Sequence, residues 1–289
     1  MKIVLSLQYA VNAQRPIFTL PTELFNQIME EIMPTTSVPI GSPKVDRFWR
    51  PSFRDSTALI SVSQTCRHFR QISLAHPEWW TTLSSQKTRH FPVCAANSLH
   101  MPFTVVAFPE HDKDLFAVFN DTAAARIEEV HVLRWNSTLM RGVRNLFSMD
   151  NRAPTLKALT CIPSPGDCTN PYTLNLESPR FTLYRERMVA LKHLVLDRTE
   201  FSFSRDSAAP YQIPSITHLI LARSSASHTI IAQLVSSCSN LQALVLSELS
   251  ASTDNIVPHA SFPLSTRLRR VALHNLRHLG IEFYLTLIP

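Results

Sequence analysis

The N-terminal part of the chain combines amphipathic helical patterns with a polar loop. Over residues 20–32, apolar side chains recur every three or four positions, which predicts a helix with one broad apolar face. Pro34 ends this pattern, and the prolines and polar residues of 34–56 predict a loop. The spacing over 59–72 predicts two further short helices. We expect the bend between them near 63–65, because serine and threonine are unfavourable inside a helix.

Beyond residue 100 the apolar pattern changes to a repeated L-x-x-L-x-L template. Successive copies start 29, 35, 25, 25 and 27 residues apart, and most of these steps fall within about 20–29 residues, the span of short strand-and-helix repeats. Helical spacing lies between copies, at 137–148, 178–190 and 228–238. This pattern predicts a parallel sheet backed by helices, with a degenerate strand at 101–108. The copies start at Ile127, Leu156, Leu191, Ile216, Leu241 and Leu268.

The residues between the template positions are predicted to form the opposite, concave face of this sheet. Side chains alternate along a strand, so equivalent positions of successive repeats form rows. One row holds Ala158, His193, His218, Ala243 and Arg270, and the next holds Thr160, Val195, Ile220, Val245 and Ala272. A third row holds Asp197, Ala222, Ser247 and His274. An exposed row of this kind is typical of a protein-binding surface, unless loops or another segment cover it. The candidate partner-binding residues are His193, Val195, Asp197, His218, Ile220, Val245 and Arg270.

The last residues of the chain predict one more strand. Ile281, Phe283, Leu285 and Leu287 alternate, which suits a strand that caps the apolar edge of the repeats. A chain truncated before its cap is the alternative interpretation.

Composition and charge narrow the class of protein. The chain of 289 residues is 45% apolar and 17% charged, as expected of a folded globular protein. Its net charge of +6 comes from basic residues spread along the chain, whereas a nucleic-acid binder more often gathers them on one face. No stretch of 18 apolar residues is present, so no membrane span is expected. We therefore expect neither a nucleic-acid nor a membrane partner.

Residues with catalytic or metal-binding potential lack the spacing that such chemistry requires. The four glycines form no phosphate-binding loop, and neither G-x-S-x-G nor H-E-x-x-H is present. The five cysteines are widely spaced with no C-x-x-C, which indicates reduced thiols in a cytoplasmic or nuclear protein. The adjacent pairs Glu30–Glu31 and Glu128–Glu129 are interpreted as solvated faces. We expect no enzyme activity, no cofactor and no metal site.

The N-terminal pattern resembles the F-box. The opening L-P-x-E-L-x-x-x-I corresponds to LPTELFNQI at 20–28, and the later S-x-x-C-R-x-F-R-x-I corresponds to SQTCRHFRQI at 63–72. The ending A-x-P-x-W-W falls on AHPEWW at 75–80, a form similar to that of many F-box proteins from mushroom-forming fungi. The long segment 34–56 departs from the family, in which the first helix is joined to the rest by a short link.

The resemblance implies a partner for the apolar surface of this small helical module. In the family, that surface docks on a Skp-type adaptor, which connects the F-box protein to a cullin ubiquitin ligase. The same residues could instead be internal core, and both interpretations remain open at this point. By resemblance, the adaptor-binding residues are Leu20, Pro21, Leu24, Ile28, Leu59, Val62 and Phe69.

These patterns together predict an α/β protein with two parts. Residues 17–90 would form a small all-helical F-box module with 34–56 inserted, and 100–289 would form an irregular leucine-rich repeat solenoid, a parallel sheet with helices. A parallel α/β sheet of another kind is the alternative for the second part. The resemblance implies a substrate-recognition subunit of a Skp/cullin/F-box ubiquitin ligase that binds an unknown protein substrate. The alternative functions are a ligase-independent repeat scaffold and, less favoured by the motifs, an enzyme on an α/β fold.

Overall fold

The architecture was obtained from a computed structural model. It describes residue 11 and residues 20–37, 52–108, 124–135, 155–163, 180–183, 189–203, 213–224, 228–247 and 276–282. Within these residues the protein is a mixed α/β fold in which helices accompany a parallel sheet. No helix of the described residues has both the length and the apolar character needed to cross a membrane.

Among the described residues of the N-terminal part there are three short helices that follow the predicted apolar spacing. They are α1 (Thr22–Ile32), α2 (Thr57–Thr65) and α3 (Arg67–Leu74). The predicted bend between the last two is confirmed and lies at Cys66, whose backbone is extended. The Cys66 sulfur accepts a hydrogen bond from the backbone N–H of Phe69 at 3.5 Å and so caps α3. The rings of Phe25 and Phe69 lie 5.0 Å apart and join α1 to α3.

The segment predicted as a loop between α1 and α2 contains a β-ribbon. Strands β1 (Thr35–Ser37) and β2 (Ser52–Arg54) pair antiparallel, so the prediction of a loop over all of 34–56 is wrong at these residues. Their patterns, TTS and SFR, are too short to be recognised by periodicity. Phe53 packs against a cluster of apolar residues on the main sheet. The ribbon therefore connects the helical part to the sheet.

The segment after α3 attaches the helices to the first strand of the main sheet. A 3-10 turn over Pro77–Trp80 buries both Trp79 and Trp80. The indole N–H of Trp80 donates a hydrogen bond to the carbonyl of Ser73 at 2.8 Å. The hydroxyl of Ser56 donates to the carbonyl of Thr82 at 3.3 Å. These contacts make the junction a packed part of the protein interior.

Within the described residues, the main sheet has eight strands. They are β3 (Thr82–Ser84), β4 (Phe103–Ala107), β5 (Ile127–Trp135), β6 (Ala158–Pro163), β8 (His193–Asp197), β10 (His218–Ala222), β11 (Ala243–Ser247) and β12 (His278–Glu282). Each strand is parallel to its neighbours, in the order β12-β11-β10-β8-β6-β5-β4-β3. A 3-10 turn over Ser85–His90 and helix α4 (Phe91–Asn97) connect β3 to β4, and helix α5 (His228–Ser237) connects β10 to β11.

Two further strands lie outside the main sheet and correct a predicted helix. Strands β7 (Arg180–Leu183) and β9 (Glu200–Phe203) pair parallel as a separate two-stranded sheet. The helix predicted over 178–190 is therefore wrong at 180–183, where Phe and Thr favour a strand. The helix predicted at 228–238 is confirmed as α5, and the one at 137–148 lies outside the described residues.

The strand register agrees with the repeat template up to β11. Ala158 pairs with His193, His193 with His218 and His218 with Ala243, so this predicted row is confirmed. The next strand in the sheet, however, begins at His278, because Ala243 pairs directly with it. The prediction that 268–273 supplies the neighbour of β11 is therefore wrong. Residues 276–281 (LRHLGI) fit the template equally well, which explains the misassignment.

Left-handed backbone conformations mark the turns that follow two neighbouring strands. Arg198 after β8 has φ 53° and Arg223 after β10 has φ 49°. Their N–H groups donate to the carbonyls of Ala222 at 2.9 Å and Ser247 at 2.8 Å, each at the end of the next strand. The hydrogen bonds to the neighbouring strand compensate for a conformation that is unfavourable for residues other than glycine. Equivalent turns thus repeat 25 residues apart.

One continuous apolar core runs through the described residues. It begins with Phe25 and Met29 of α1, includes Trp80 and Phe103 at the junction, and extends to Leu246 of β11. The template leucines and isoleucines of β5 to β11 lie in this core, as predicted. A second, smaller cluster occupies the opposite face of the sheet.

Candidate functional site

Helix α1 divides its apolar side chains between the interior and the solvent. Phe25 and Met29 are buried, whereas Leu24, Ile28 and Ile32 are exposed by 45%, 39% and 38%. Residues four positions apart lie next to each other on a helix surface, so these three form one stripe. We call Leu24, Ile28 and Ile32 the α1 stripe. An exposed row of large apolar residues beside a buried one is a candidate contact surface.

The other residues predicted to bind an adaptor lie in different environments. Pro21 is exposed and Leu20 is half-buried at the start of the same helix. Val62 and Phe69 are half-buried and pack against the main core. Leu59 is fully buried, so its assignment to a surface is corrected: it is a core residue. Periodicity could not make this distinction, because the core and the surface stripe of α1 and α2 have the same apolar character.

The central row of the predicted concave surface is closed to solvent. Val195, Ile220 and Val245 are all buried, so the prediction that they are exposed is wrong. They belong to the second apolar cluster, against which Phe53 and Phe108 pack. Covering this row removes apolar area from water, which stabilises the fold by about 25 cal/mol for each Å² buried. The remaining buried members of the cluster are Val106, Leu133 and Ile162.

Asp197, predicted to bind a partner, instead forms a buried ion pair. Its carboxylate is completely buried at the end of β8 and accepts hydrogen bonds from the guanidinium group of Arg223. The Nε to Oδ1 distance is 2.8 Å, and Nη2 contacts Oδ2. Arg270, also predicted to bind a partner, lies outside the described residues. Asp197 therefore links neighbouring strands and does not form part of an open surface.

The histidines of the first row remain accessible to solvent. His193 of β8 and His218 of β10 are half-buried, and the centroids of their rings lie 4.8 Å apart. His218 Nδ1 lies 2.9 Å from the hydroxyl oxygen of Thr217. Lys192, beside them, is exposed. We call Lys192, His193, Thr217 and His218 the histidine rim. They lie where the central strands β8 and β10 begin, at the N-terminal end of the strands.

A polar network on β5 borders this rim. His131 is fully buried, and its Nε2 lies 3.2 Å from Oε2 of Glu129. A carboxylate only accepts hydrogen bonds, so we place the proton on Nε2, and Nδ1 then accepts from the Thr160 hydroxyl at 3.2 Å. The interpretation of Glu129 as a solvated residue is thus incomplete. Its i,i+2 spacing from His131 was the sequence signal for this contact, since such residues face the same side of a strand.

The electrostatics of the rim favour neutral imidazole and ionised carboxylate. Burial, with the neighbouring His218, lowers the pKa of His193 to about 4, so this ring is neutral at pH 7. The hydrogen bond from His131 holds the pKa of the Glu129 carboxyl below its usual range. A neutral His193, whose ring is tilted by 43° relative to that of His218, can donate or accept hydrogen bonds. This arrangement suits binding.

The described part of the chain contains neither a reactive cysteine site nor a metal site. Its four cysteines are free thiols, and three of them are buried. Burial raises the pKa of Cys94 to about 11 and that of Cys161 to about 12, which keeps both thiols protonated. No group of three or more His, Cys, Asp and Glu side chains in these residues is arranged to hold a metal ion.

Comparisons with known proteins give no family assignment: no family model, no curated protein and no solved structure matches the chain.

Proposed function

We propose that the chain is an F-box protein that serves as the substrate-recognition subunit of a Skp/cullin/F-box ubiquitin ligase. Its helical N-terminal part would bind a Skp-type adaptor, and its repeat-containing sheet would bind a target protein. The proposal rests on the resemblance of residues 20–28 and 63–80 to the F-box, together with the α1 stripe. The stripe is the observation that carries it.

The α1 stripe supports this proposal because large apolar side chains there remain exposed beside a buried row. The helix contributes Phe25 and Met29 to the core through a face different from the stripe. Burying a side chain such as Leu24 or Ile28 at an interface is favourable by about 1.5–3 kcal/mol. Pro21 and Leu20, at the start of the helix, extend the same surface. A helix-against-helix contact with an adaptor would cover this apolar area.

The repeated sheet supports the second half of the proposal. Strands β8, β10 and β11 pair at equivalent positions of successive repeats, which is the arrangement expected of a leucine-rich repeat solenoid. The protein would have no chemistry of its own. Holding a substrate close to the ligase's ubiquitin-charged enzyme raises the effective concentration of the reacting groups, and positioning alone then accelerates the transfer.

Capture of a purified Skp-type adaptor by the full chain tests the proposal. The variant Leu24→Asp with Ile28→Asp places two charges in the α1 stripe, and we expect adaptor binding to fall at least 100-fold. The matched control is Thr22→Asp with Gln27→Asp, which adds the same two charges at exposed polar positions of α1. The control should bind within about twofold of wild type. Both variants are checked for an unchanged thermal unfolding midpoint.

Two results would contradict the proposal. Wild type that does not capture the adaptor would remove the F-box assignment and leave the ligase-independent scaffold. Equal capture by wild type and the stripe variant would show that the α1 stripe is not the contact surface.

A further inference from the structure

We propose that the histidine rim is a docking surface for an acidic, extended segment of a partner protein. This inference deepens the proposed function by naming the class of substrate segment, and in that respect it rests on the proposed function. The central row of the same face is buried, so a partner reaching this side of β8 and β10 meets the rim first. The occupant is identified by charge complementarity.

The described carboxylates that border the rim already have cationic or histidine partners. The carboxylates at its border are already engaged: Glu128 contacts Nζ of Lys157 at 2.6 Å and Glu129 contacts His131 at 3.2 Å. Within the described residues, no carboxylate lies within ion-pair distance of Lys192, which is exposed. An incoming carboxylate would therefore meet no competing carboxylate from the described residues at the Lys192 ammonium group.

The charges around His193 also favour a negatively charged partner. Its charged or titratable neighbours are His218 from β10, Lys192 before β8, and Glu129 and His131 from β5. Of these, only Glu129 favours a positive charge on His193; the other three oppose it. β6 contributes the uncharged Ala158 and Thr160 at this end of the sheet. A carboxylate bound here would be stabilised and would favour protonation of His193.

The row of residues that precedes these parallel strands suggests an extended occupant. Backbone hydrogen bonds step from Lys192 to Thr217, then to Gln242 and to Arg277, at 2.8–2.9 Å. Arg277, at the far end, is exposed. Neighbouring strands lie about 4.8 Å apart, so the three steps from Lys192 to Arg277 cover about 14 Å. An extended peptide rises about 3.3 Å per residue, and about four to five residues would span the two cations.

Proton linkage gives the surface a recognisable signature. A bound carboxylate raises the pKa of His193, so the complex takes up a proton that the free protein does not hold. Binding then strengthens as the pH falls from 7 to 5, while glutamate side chains, with a pKa of about 4.3, remain mostly ionised. Rim contacts that depend on charge should also weaken as salt is added.

Fluorescence anisotropy with a labelled peptide of eight glutamates tests the proposal. Peptides of eight glutamines and of eight lysines, and a single-stranded RNA of eight nucleotides, are the comparison probes. The variant called the rim variant is Lys192→Glu in the histidine rim together with Arg277→Glu at the far end of the same row. The control variant, Arg67→Glu with Arg70→Glu, makes the same change in net charge at exposed positions of α3. All proteins are used as the full chain, with folding checked by thermal unfolding.

We expect the glutamate peptide to bind wild type more tightly than either other peptide. The rim variant should bind it at least tenfold more weakly, and the control variant within about threefold of wild type. The gain in affinity between pH 7 and 5 should be lost in His193→Gln with His218→Gln, which keeps polar side chains at both positions.

Three outcomes would overturn the proposal. They are no binding of the glutamate peptide by wild type, an equal loss of binding in the rim and control variants, and tighter binding of the RNA with the same dependence on Lys192 and Arg277. Adaptor capture by wild type separates this inference from the proposed function. If wild type captures the adaptor but does not bind the glutamate peptide, only the inference about the rim is contradicted.

Discussion

Arg223 forms a two-pronged ion pair with Asp197, whose carboxylate is completely buried on the neighbouring strand. The arginine side chain itself is 25% exposed. The two partners are therefore unequal: the Asp197 carboxylate is shielded from water, whereas the Arg223 guanidinium group can still reach it. This asymmetry makes a quantitative prediction about which partner is more costly to remove.

We expect Arg223→Met to lower the free energy of unfolding by about 3–5 kcal/mol, because it leaves a buried carboxylate without its counter-charge. Asp197→Asn should cost less, about 1–3 kcal/mol, since the arginine can turn towards solvent. Urea unfolding of both single variants measures the difference. The double variant should be less destabilised than the sum of the two singles. Equal costs for the two single changes would contradict this account.

Two hydroxyls at equivalent positions of successive repeats should respond in opposite ways. The Ser224 hydroxyl donates a hydrogen bond to the carbonyl of Leu196 at 3.0 Å and lies 3.1 Å from the carbonyl of Ala222. The buried hydroxyl of Thr199 has no hydrogen-bond partner among the described residues. We expect Ser224→Ala to cost about 1–3 kcal/mol and Thr199→Val to be neutral or stabilising. Thermal or urea unfolding distinguishes the two variants. If Thr199→Val clearly lowers the free energy of unfolding, the Thr199 hydroxyl forms a hydrogen bond with a residue outside the described ones.

The two apolar rows of α1 should differ sharply in their effect on stability. Phe25→Ala and Met29→Ala remove buried side chains, and each should lower the free energy of unfolding by about 2–5 kcal/mol. Leu24→Ala and Ile28→Ala change exposed positions and should stay within about 0.5 kcal/mol of wild type. Denaturant titrations at constant pH give the comparison. A large cost at Leu24 would place the stripe in the core of the protein.

Stability should fall as the pH is lowered from about 6.5 to 4, in part because of His193. Its pKa is about 4 in the folded protein and about 6.5 in an unfolded chain. In this window the unfolded state binds more protons, so acid favours unfolding. We expect His193→Gln to flatten the dependence of the unfolding midpoint on pH. His100→Gln, at an exposed position, is the control and should retain the slope of wild type.

The sequence predicted the sheet well because its signal is repeated. The inward residues of β6, β8, β10 and β11 recur with the same local pattern, and each copy supports the register of the next. The pattern failed at the last strand, because the stretches beginning at Leu268 and Leu276 both fit the template. Only the pairing of Ala243 with His278 distinguishes them.

The candidate surfaces were less predictable, because burial is decided by segments that are distant in sequence. Val195 and Ile220 have the outward register that the pattern predicts, but they are covered, and Phe53 reaches this cluster from far earlier in the chain. On α1, the local spacing could not show that Leu24 is exposed while Phe25 is buried. The contact between Glu129 and His131 could have been inferred from their spacing on one strand.

The strand order also determines how cooperatively the protein can unfold. Strands β8, β10, β11 and β12 follow each other in space in the same order as in the chain, so each is held by its immediate neighbours. At the edge strand β12, Leu279 is 55% exposed, whereas the equivalent Leu244 of β11 is buried. Protection from amide hydrogen exchange should therefore rise stepwise from β12 towards the middle of the sheet, a gradient that a sheet with interleaved strand order would not show.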